Sequence, residues 1–201
     1  MKISLLLFFF LAMTGKAFTQ ISKGQFLLGG SVRFESMKEN YYPDGTYKST
    51  NIFVSPAIGY FFFNKMAGGV RVDLNSYKSN SSSVETKQTS TTISPFVRYY
   101  FLPVAAKVNA FLDVGYLHSK SKWTRFSDPA YSYADNSRGF QVLAGPSIFL
   151  TDQIALEFTL GVRHTKSTDR VALLEATKST TLSSGLGLQI HFGKKRQQRT
   201  G

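Results

Sequence analysis

Two serines closely follow histidines in the sequence, an arrangement that could activate a serine hydroxyl group as a nucleophile. His118 directly precedes Ser119, and His164 lies three residues before Ser167. Histidine serves as the general base in such sites when an acidic side chain orients it. No acidic residue is evidently placed with either pair, so we expect both histidines to be polar side chains without a catalytic role.

The sequence offers no motif for other catalytic or cofactor chemistry. It contains no cysteine, which excludes thiolate catalysis and disulfides. Its His, Asp and Glu residues lack the spacing of metal ligands, and its glycines form neither a phosphate-binding loop nor a dinucleotide-binding motif. The net charge of +12 could suit nucleic acid, but no nucleic-acid-binding motif is present. We therefore predict a non-enzymatic protein with no metal, no cofactor and no nucleic-acid partner.

Charged residues also occur inside apolar segments, at alternate positions. Between residues 154 and 163, every second side chain from Ile154 onward is apolar, while Glu157 and Arg163 occupy the other set of positions. Side chains alternate between the two faces of a β-strand, so this segment is predicted to be a strand with one apolar and one polar face. Eight segments share the pattern, and their polar faces carry four basic and four acidic residues: Arg33, Glu35, Arg71, Asp73, Arg98, Asp113, Glu157 and Arg163.

Short and long connections alternate between the eight segments. The short connections lie around 63–66, 102–106 and 151–153, and the long polar ones at 37–47, 78–88, 122–136 and 167–176. This regular alternation is typical of an antiparallel barrel in which each strand pairs with its neighbours in the chain. We predict an all-β fold, an eight-stranded antiparallel up-and-down barrel with tight turns at one end and long loops at the other.

The balance of charge indicates which face of the strands is inside. An eight-stranded barrel has an interior just wide enough to be filled with side chains. An unpaired ion there is costly, so equal numbers of acidic and basic residues predict an ion-pair network in the lumen, with Glu157 bonded to Arg163, Arg98 or Arg71. The apolar face would then contact lipid, which makes the barrel transmembrane. The alternative is a soluble periplasmic lipocalin-like ligand binder with its apolar face inside.

Large side chains on each face lead to two further predictions. Several share the inward-facing positions and should obstruct the lumen, so we expect no large, stable ion conductance: Phe53, Phe61, Phe96, Tyr100, Phe111, Leu143 and Phe149. Aromatic residues at outward-facing positions near the tight turns predict a girdle at one membrane interface: Phe26, Tyr60, Phe62, Tyr99, Phe101 and Phe192.

The first residues of the chain have the composition of a secretory signal peptide. Lys2 is followed by a mostly apolar run over 3–13 and by small and polar residues over 14–20. We expect residues 1–19 to be removed by cleavage after Thr19, with cleavage after Ala17 as the alternative. One β-barrel domain is expected over 20–192 and a basic tail over 193–201. No later segment is apolar for long enough to form a transmembrane helix.

The signal peptide, the eight alternating strands and the final aromatic residue together resemble the small bacterial outer-membrane β-barrels of the OmpA/OmpX type. The closing sequence GLGLQIHF, 185–192, is similar to the terminal signal that those barrels show to the outer-membrane insertion machinery, with Gly187, Ile190 and Phe192 at matching positions. Gly185 replaces a residue that is usually polar, and a basic tail follows the aromatic residue. The resemblance implies an integral outer-membrane protein with periplasmic termini, and we expect a monomer.

The expected role of such a barrel is structural or adhesive, or the support of membrane integrity, through surface-exposed loops. Basic residues at the loop end are expected to contact the phosphates and carboxylates of lipopolysaccharide, with solvated charge as the alternative. Some barrels of this fold modify lipid A with His, Ser and an acid, which gives an enzyme as the other candidate. The His-x-Ser spacing of the deacylases is missing here.

Overall fold

The computed structural model describes residues 21–41, 45–81, 84–104, 106–125, 132–168 and 177–193. These residues form eight long strands and no helix. The strands are β1 (Phe26–Tyr41), β2 (Gly45–Phe63), β3 (Met66–Ser81), β4 (Val84–Tyr100), β5 (Val108–Arg125), β6 (Ser132–Phe149), β7 (Ile154–Thr168) and β8 (Thr177–Phe192). In the part of the chain that is described, no helix is long and apolar enough to cross a membrane. The expected signal peptide and most of the basic tail lie outside these ranges.

Each strand pairs antiparallel with its neighbours in the chain, and β1 pairs with β8 to close the barrel. The predicted all-β, eight-stranded, up-and-down barrel is therefore confirmed. The ladder between β1 and β8 is the shortest, since it includes only Phe26–Ser31 of β1 and Gly187–Phe192 of β8. The β1–β2 ladder, by comparison, runs the full length of β1, from Phe26 to Tyr41. The hydrogen bonds that close the barrel therefore lie in the half nearest the tight turns.

The prediction of long polar loops was wrong at three of the four connections. The strands extend through most of 37–47, 78–88 and 122–136, and leave only 42–44, 82–83, 126–131 and 169–176 between them. Apolar alternation is expected only where one face of a strand contacts an apolar environment, but ladder hydrogen bonds join backbone groups and do not need apolar side chains. Threonine and tyrosine, common in these extensions, also favour strands. The alternation therefore marks the apolar band of the barrel and not the full length of its strands.

The two faces of the wall differ as the alternation predicts. Outward-facing apolar side chains are widely exposed, with Leu160 at 63% and Leu182 at 79%, whereas Glu157 on the opposite face is 3% exposed. Aromatic side chains lie in contact at the tight-turn end of the outer face, where the Phe26 ring is 5.1 Å from that of Tyr60 and 5.7 Å from that of Phe192. The polar face is inside, and the apolar face forms the outer surface.

Large buried side chains fill the barrel at its tight-turn end. Residues 21–25 run across this end, where Gly24 N donates to the Phe61 carbonyl (2.8 Å) and Lys65 N donates to the Ile21 carbonyl (2.9 Å). These bonds hold the fully buried Ile21 beneath the lumen. We name this group the turn-end plug, and it consists of Ile21, Leu27, Phe61, Tyr100, Phe111, Phe149 and His191.

A charge placed on the outer wall should be far more costly than an apolar replacement. Leu160→Arg puts a guanidinium in the apolar band and should destabilise the barrel by about 2–4 kcal/mol, whereas Leu160→Phe should change little. Denaturant titration of both variants in lipid vesicles measures the difference. Equal stability of the two variants would contradict a lipid-facing wall.

Candidate functional site

The strongest interactions in the lumen join Arg98 to two carboxylates. Arg98 Nη1 donates to both carboxylate oxygens of Glu157, at 2.8 and 2.9 Å, and Arg98 Nε donates to Asp113 Oδ2 at 3.1 Å. These three side chains are almost wholly buried. They come from β4, β5 and β7, so the guanidinium of one strand bridges to acids on two others. A charge buried this deeply is tolerated only because its partners are close and well oriented.

Arg71 of β3 extends the same group of ion pairs. Its Nη2 donates to Asp113 Oδ2 at 2.8 Å, so this one carboxylate serves two guanidinium groups. Arg71 also lies over the Phe96 ring at 4.8 Å, and Arg98 lies over the Phe111 ring at 4.3 Å. Aromatic faces attract guanidinium groups, so these rings help to compensate for the lost hydration.

A second group of polar contacts joins another interior acid, Asp73, to a more exposed arginine. Arg163 Nη2 donates to Asp73 Oδ2 at 2.7 Å and to Gln141 Oε1 at 3.2 Å. Ser55 Oγ donates to the other oxygen of Asp73 at 2.6 Å. The Arg163 side chain is 32% exposed, while that of Asp73 is 3% exposed. This pair therefore lies closer to water than the group around Arg98.

The eight charged residues predicted for the network are thus placed unequally. Six take part in the two groups described above, and the ion pairs and hydrogen bonds described for them leave the groups separate. Glu157 has Arg98 as its ion-pair partner, whereas Arg163 bonds to Asp73. The side chains of Arg33 and Glu35 lie outside the described part of the chain, although their backbones pair with Phe53 and Asn51 of β2.

Neutral polar residues complete the group around Arg98. The sequence predicted one of them, Tyr100, only as a bulky side chain in the lumen, and it did not predict Gln189. The Tyr100 hydroxyl lies 3.3 Å from both Glu157 Oε1 and Arg98 Nη1, and Gln189 Nε2 donates to Glu157 Oε2 at 3.0 Å. Both residues have the inward parity of their strands, which was the available signal. Parity names the face but not the partner. Ile21 was also missed, because it precedes the first strand and belongs to no alternating pattern.

A cavity of about 300 Å³ lies inside the barrel beyond the turn-end plug. Arg98 and Glu157 form part of its lining, as do Arg163 and Thr181, and no member of the plug lines it. The cavity therefore extends from the ion pairs toward the end where the long strands protrude. The buried side chains of the plug lie between this cavity and the tight-turn end.

The histidine and serine pairs do not form a catalytic relay. His164 Nδ1 lies 3.0 Å from Thr180 Oγ1 on the exposed face, whereas Ser167 donates to Asp135 on the interior side. Ser119 Oγ accepts a hydrogen bond from Thr92 Oγ1 at 2.9 Å, also on the interior side. Each serine thus lies on the opposite face from its neighbouring histidine. Within the ranges described, no three His, Cys, Asp or Glu side chains come together as a metal site would require.

Comparison with known proteins agrees with this architecture. A family model described as the outer membrane protein beta-barrel domain matches residues 3–192. The chain is similar to the solved structure of OprG from Pseudomonas aeruginosa, with 12% identity and a TM-score of 0.50 over 88% of this chain and 100% of that one. It is also similar to Neisserial surface protein A, with 18% identity and a TM-score of 0.47 over 86% and 98%. No curated protein matches the sequence. The likeness to OprG shows the fold alone.

Removal of Glu157 should expose the dependence of Arg98 on its carboxylate. Glu157→Gln should destabilise the barrel by about 3–5 kcal/mol, because it leaves a buried guanidinium short of negative charge. The double change with Arg98→Gln should cost less than the sum of the single changes, with a coupling of about 1–3 kcal/mol. Denaturant titration of the four proteins in a double-mutant cycle measures this coupling.

The matched control pairs Glu157→Gln with Arg163→Gln. Arg163 bonds to Asp73 and lies in the other group, so this cycle should be additive to within about 0.5 kcal/mol. Equal coupling in the two cycles would contradict the specific Arg98–Glu157 bond.

Proposed function

Because the chain belongs to the outer-membrane protein β-barrel domain family, we propose that it is a closed, non-enzymatic anchor in the bacterial outer membrane, which presents its protruding strands and loops at the cell surface. Its role is structural or adhesive, or the support of membrane integrity. The observation that carries the proposal is the obstruction of the lumen. A barrel without a continuous water path can hold a surface structure in place but cannot serve as a pore.

Two layers of side chains support the closed state. The turn-end plug brings the His191 ring within 5.6 Å of Phe61 and 5.4 Å of Phe149, and these rings meet across the barrel from β2, β6 and β8. Tyr100, a member of the plug, bonds to the buried Arg98–Glu157 pair next to it. Water or ions would have to displace both an apolar layer and a bonded ionic layer, and the second would lose its charge compensation.

The protruding strands supply the surface that such an anchor would present. β2, β3, β4 and β5 continue for several residues past the apolar band, where their side chains are mostly polar. A ladder of backbone hydrogen bonds persists to Tyr41–Gly45 between β1 and β2 and to Ser81–Val84 between β3 and β4. Paired extensions hold their backbones in a fixed ladder, which suits contact with another surface better than flexible loops do.

The two alternative functions find less support. A lipocalin-like binder needs an apolar cavity for its ligand, whereas charged side chains line the cavity of this barrel and its outer face is apolar. A lipid A-modifying enzyme of this fold needs His, Ser and an acid in contact. Within the described chain, His164 and Ser167 lie on opposite faces of β7 and bond to different partners.

Assembly of the barrel gives the closing strand a second role in the proposal. Gly187, Ile190 and Phe192 lie in the last residues of β8, at the tight-turn end, where β8 pairs with β1. Phe192 stacks on Phe26 at 5.7 Å in the closed barrel. We assign these three residues to recognition by the outer-membrane insertion machinery, with the tight-turn end and both termini in the periplasm.

The purified protein should not conduct ions. In planar lipid bilayers we expect no steady stepwise current, because the plug and the ion pairs block the lumen. A variant with Phe61→Ala, Phe111→Ala and Phe149→Ala removes only the apolar layer and leaves the Arg98–Glu157 layer in place, so it should also pass no steady current. Heat-modifiable migration on a gel reports whether it has folded. Steady porin-like current through the wild type would overturn the closed-barrel proposal.

The orientation predicts which segments can be labelled on intact cells. Tags at Asp128, between β5 and β6 in the chain, and at Glu175, between β7 and β8, should react with an impermeant label. A tag after Gly201 should react only after the outer membrane is opened. Labelling at Gly201 on intact cells would reverse the proposed topology.

A further inference from the structure

Basic side chains form a row across three adjacent strands of the outer wall. The β6–β7 ladder aligns Arg138 with Lys166, and the β7–β8 ladder aligns Lys166 with Lys178. All three side chains are exposed and share the outward-facing parity of Phe140, Val162 and Leu182. Neighbouring strands are about 4.8 Å apart, so the three charges lie within roughly 10 Å of one another. We name these residues the basic row.

The basic row is not neutralised by the described part of the chain. Directly opposed like charges on neighbouring strands destabilise a sheet. Elsewhere on the wall this cost is offset by an acid, since Lys78 on β3 forms an ion pair with Glu85 on β4 at 2.5 Å. No ion pair between described side chains involves any member of the basic row. The arrangement is therefore suited to an anion from outside the chain.

An apolar strip lies directly below the basic row on the same three strands. Phe140 is 60% exposed, and the next aligned positions are Val142, Val162 and Leu182. Phe140 also contacts Tyr116 on β5, with 6.0 Å between the ring centroids. His164 and Thr180 lie between the basic row and the rest of the strip, and are bonded to each other at 3.0 Å. A ligand that lies along this wall contacts the basic row with one end and the apolar strip with the other.

We propose that the wall of β6, β7 and β8 binds a phosphorylated lipid of the outer leaflet. Its phosphate groups accept charge-assisted hydrogen bonds from Arg138, Lys166 and Lys178, and its acyl chains pack on Phe140, Val162 and Leu182. Arg138 can bond two phosphate oxygens at once, whereas the lysines act as mobile point charges. The bound phosphate removes the repulsion within the basic row. The proposal rests on the outer-membrane orientation given above, which places this row at the outer leaflet.

Binding of defined lipids to the purified, full-length barrel in non-ionic detergent tests the proposal. The probes are bisphosphorylated lipid A, the same lipid without its phosphates, and inorganic phosphate. We expect the phosphorylated lipid to bind at least about tenfold more tightly than the dephosphorylated one, and more tightly than inorganic phosphate. The variant Arg138→Gln, Lys166→Gln and Lys178→Gln should lose this preference. Heat-modifiable migration checks that each variant is folded.

The matched control removes the same charge from another part of the wall. Lys48→Gln, Lys78→Gln and Lys87→Gln lie at the outward-facing parity of β2, β3 and β4, and should leave lipid binding within about twofold of the wild type. Equal losses in both variants would overturn a specific site and show only general surface charge. Inorganic phosphate that binds as tightly as the lipid would overturn a lipid site. The labelling experiment on intact cells tests orientation independently, so failure of the lipid site is distinguishable from failure of the topology.

Discussion

The barrel depends on the sharing of one buried guanidinium between two carboxylates. Arg98 is 2% exposed and bonds to both Asp113 and Glu157, while Asp113 in turn neutralises Arg71. None of these charges could be buried alone, because an isolated ion in a low-dielectric interior is too costly. Their mutual compensation allows a polar face to be inside. Once that face is inside, the apolar face of every strand must be outside, and the protein must reside in lipid.

The same interaction connects the closed lumen to the proposed role as an anchor. Arg98 and Glu157 form part of the lining of the interior cavity, and Tyr100 joins them to the turn-end plug below. Residues 21–25 complete the plug from outside the strand ladder. Closure therefore uses a bonded ionic layer and a packed aromatic layer in series. The outer wall is left to contact lipid, and the protruding strands are left to contact other surfaces.

The sequence alone predicts much of the fold, because the period of side-chain alternation is imposed by strand geometry. The alternation from Ile154 to Arg163 identifies both the strand and the inward position of Glu157. It does not identify Arg98 as the partner, since register depends on how β4 and β7 are arranged around a closed wall. The protruding strands were taken for loops because backbone ladders leave no apolar pattern. The role of Ile21 could not be predicted from the sequence for a related reason, since Ile21 lies outside every strand.

Access to the interior from each side of the membrane tests the closed lumen most directly. The protein has no cysteine, so a single Ser183→Cys change places one reactive thiol in the lining of the cavity. A charged thiol reagent that cannot cross membranes should modify this cysteine when added from the outer face, and should not modify it when added from the periplasmic face. Modification from the periplasmic face at a comparable rate would show a continuous water path past the plug, and would contradict the account.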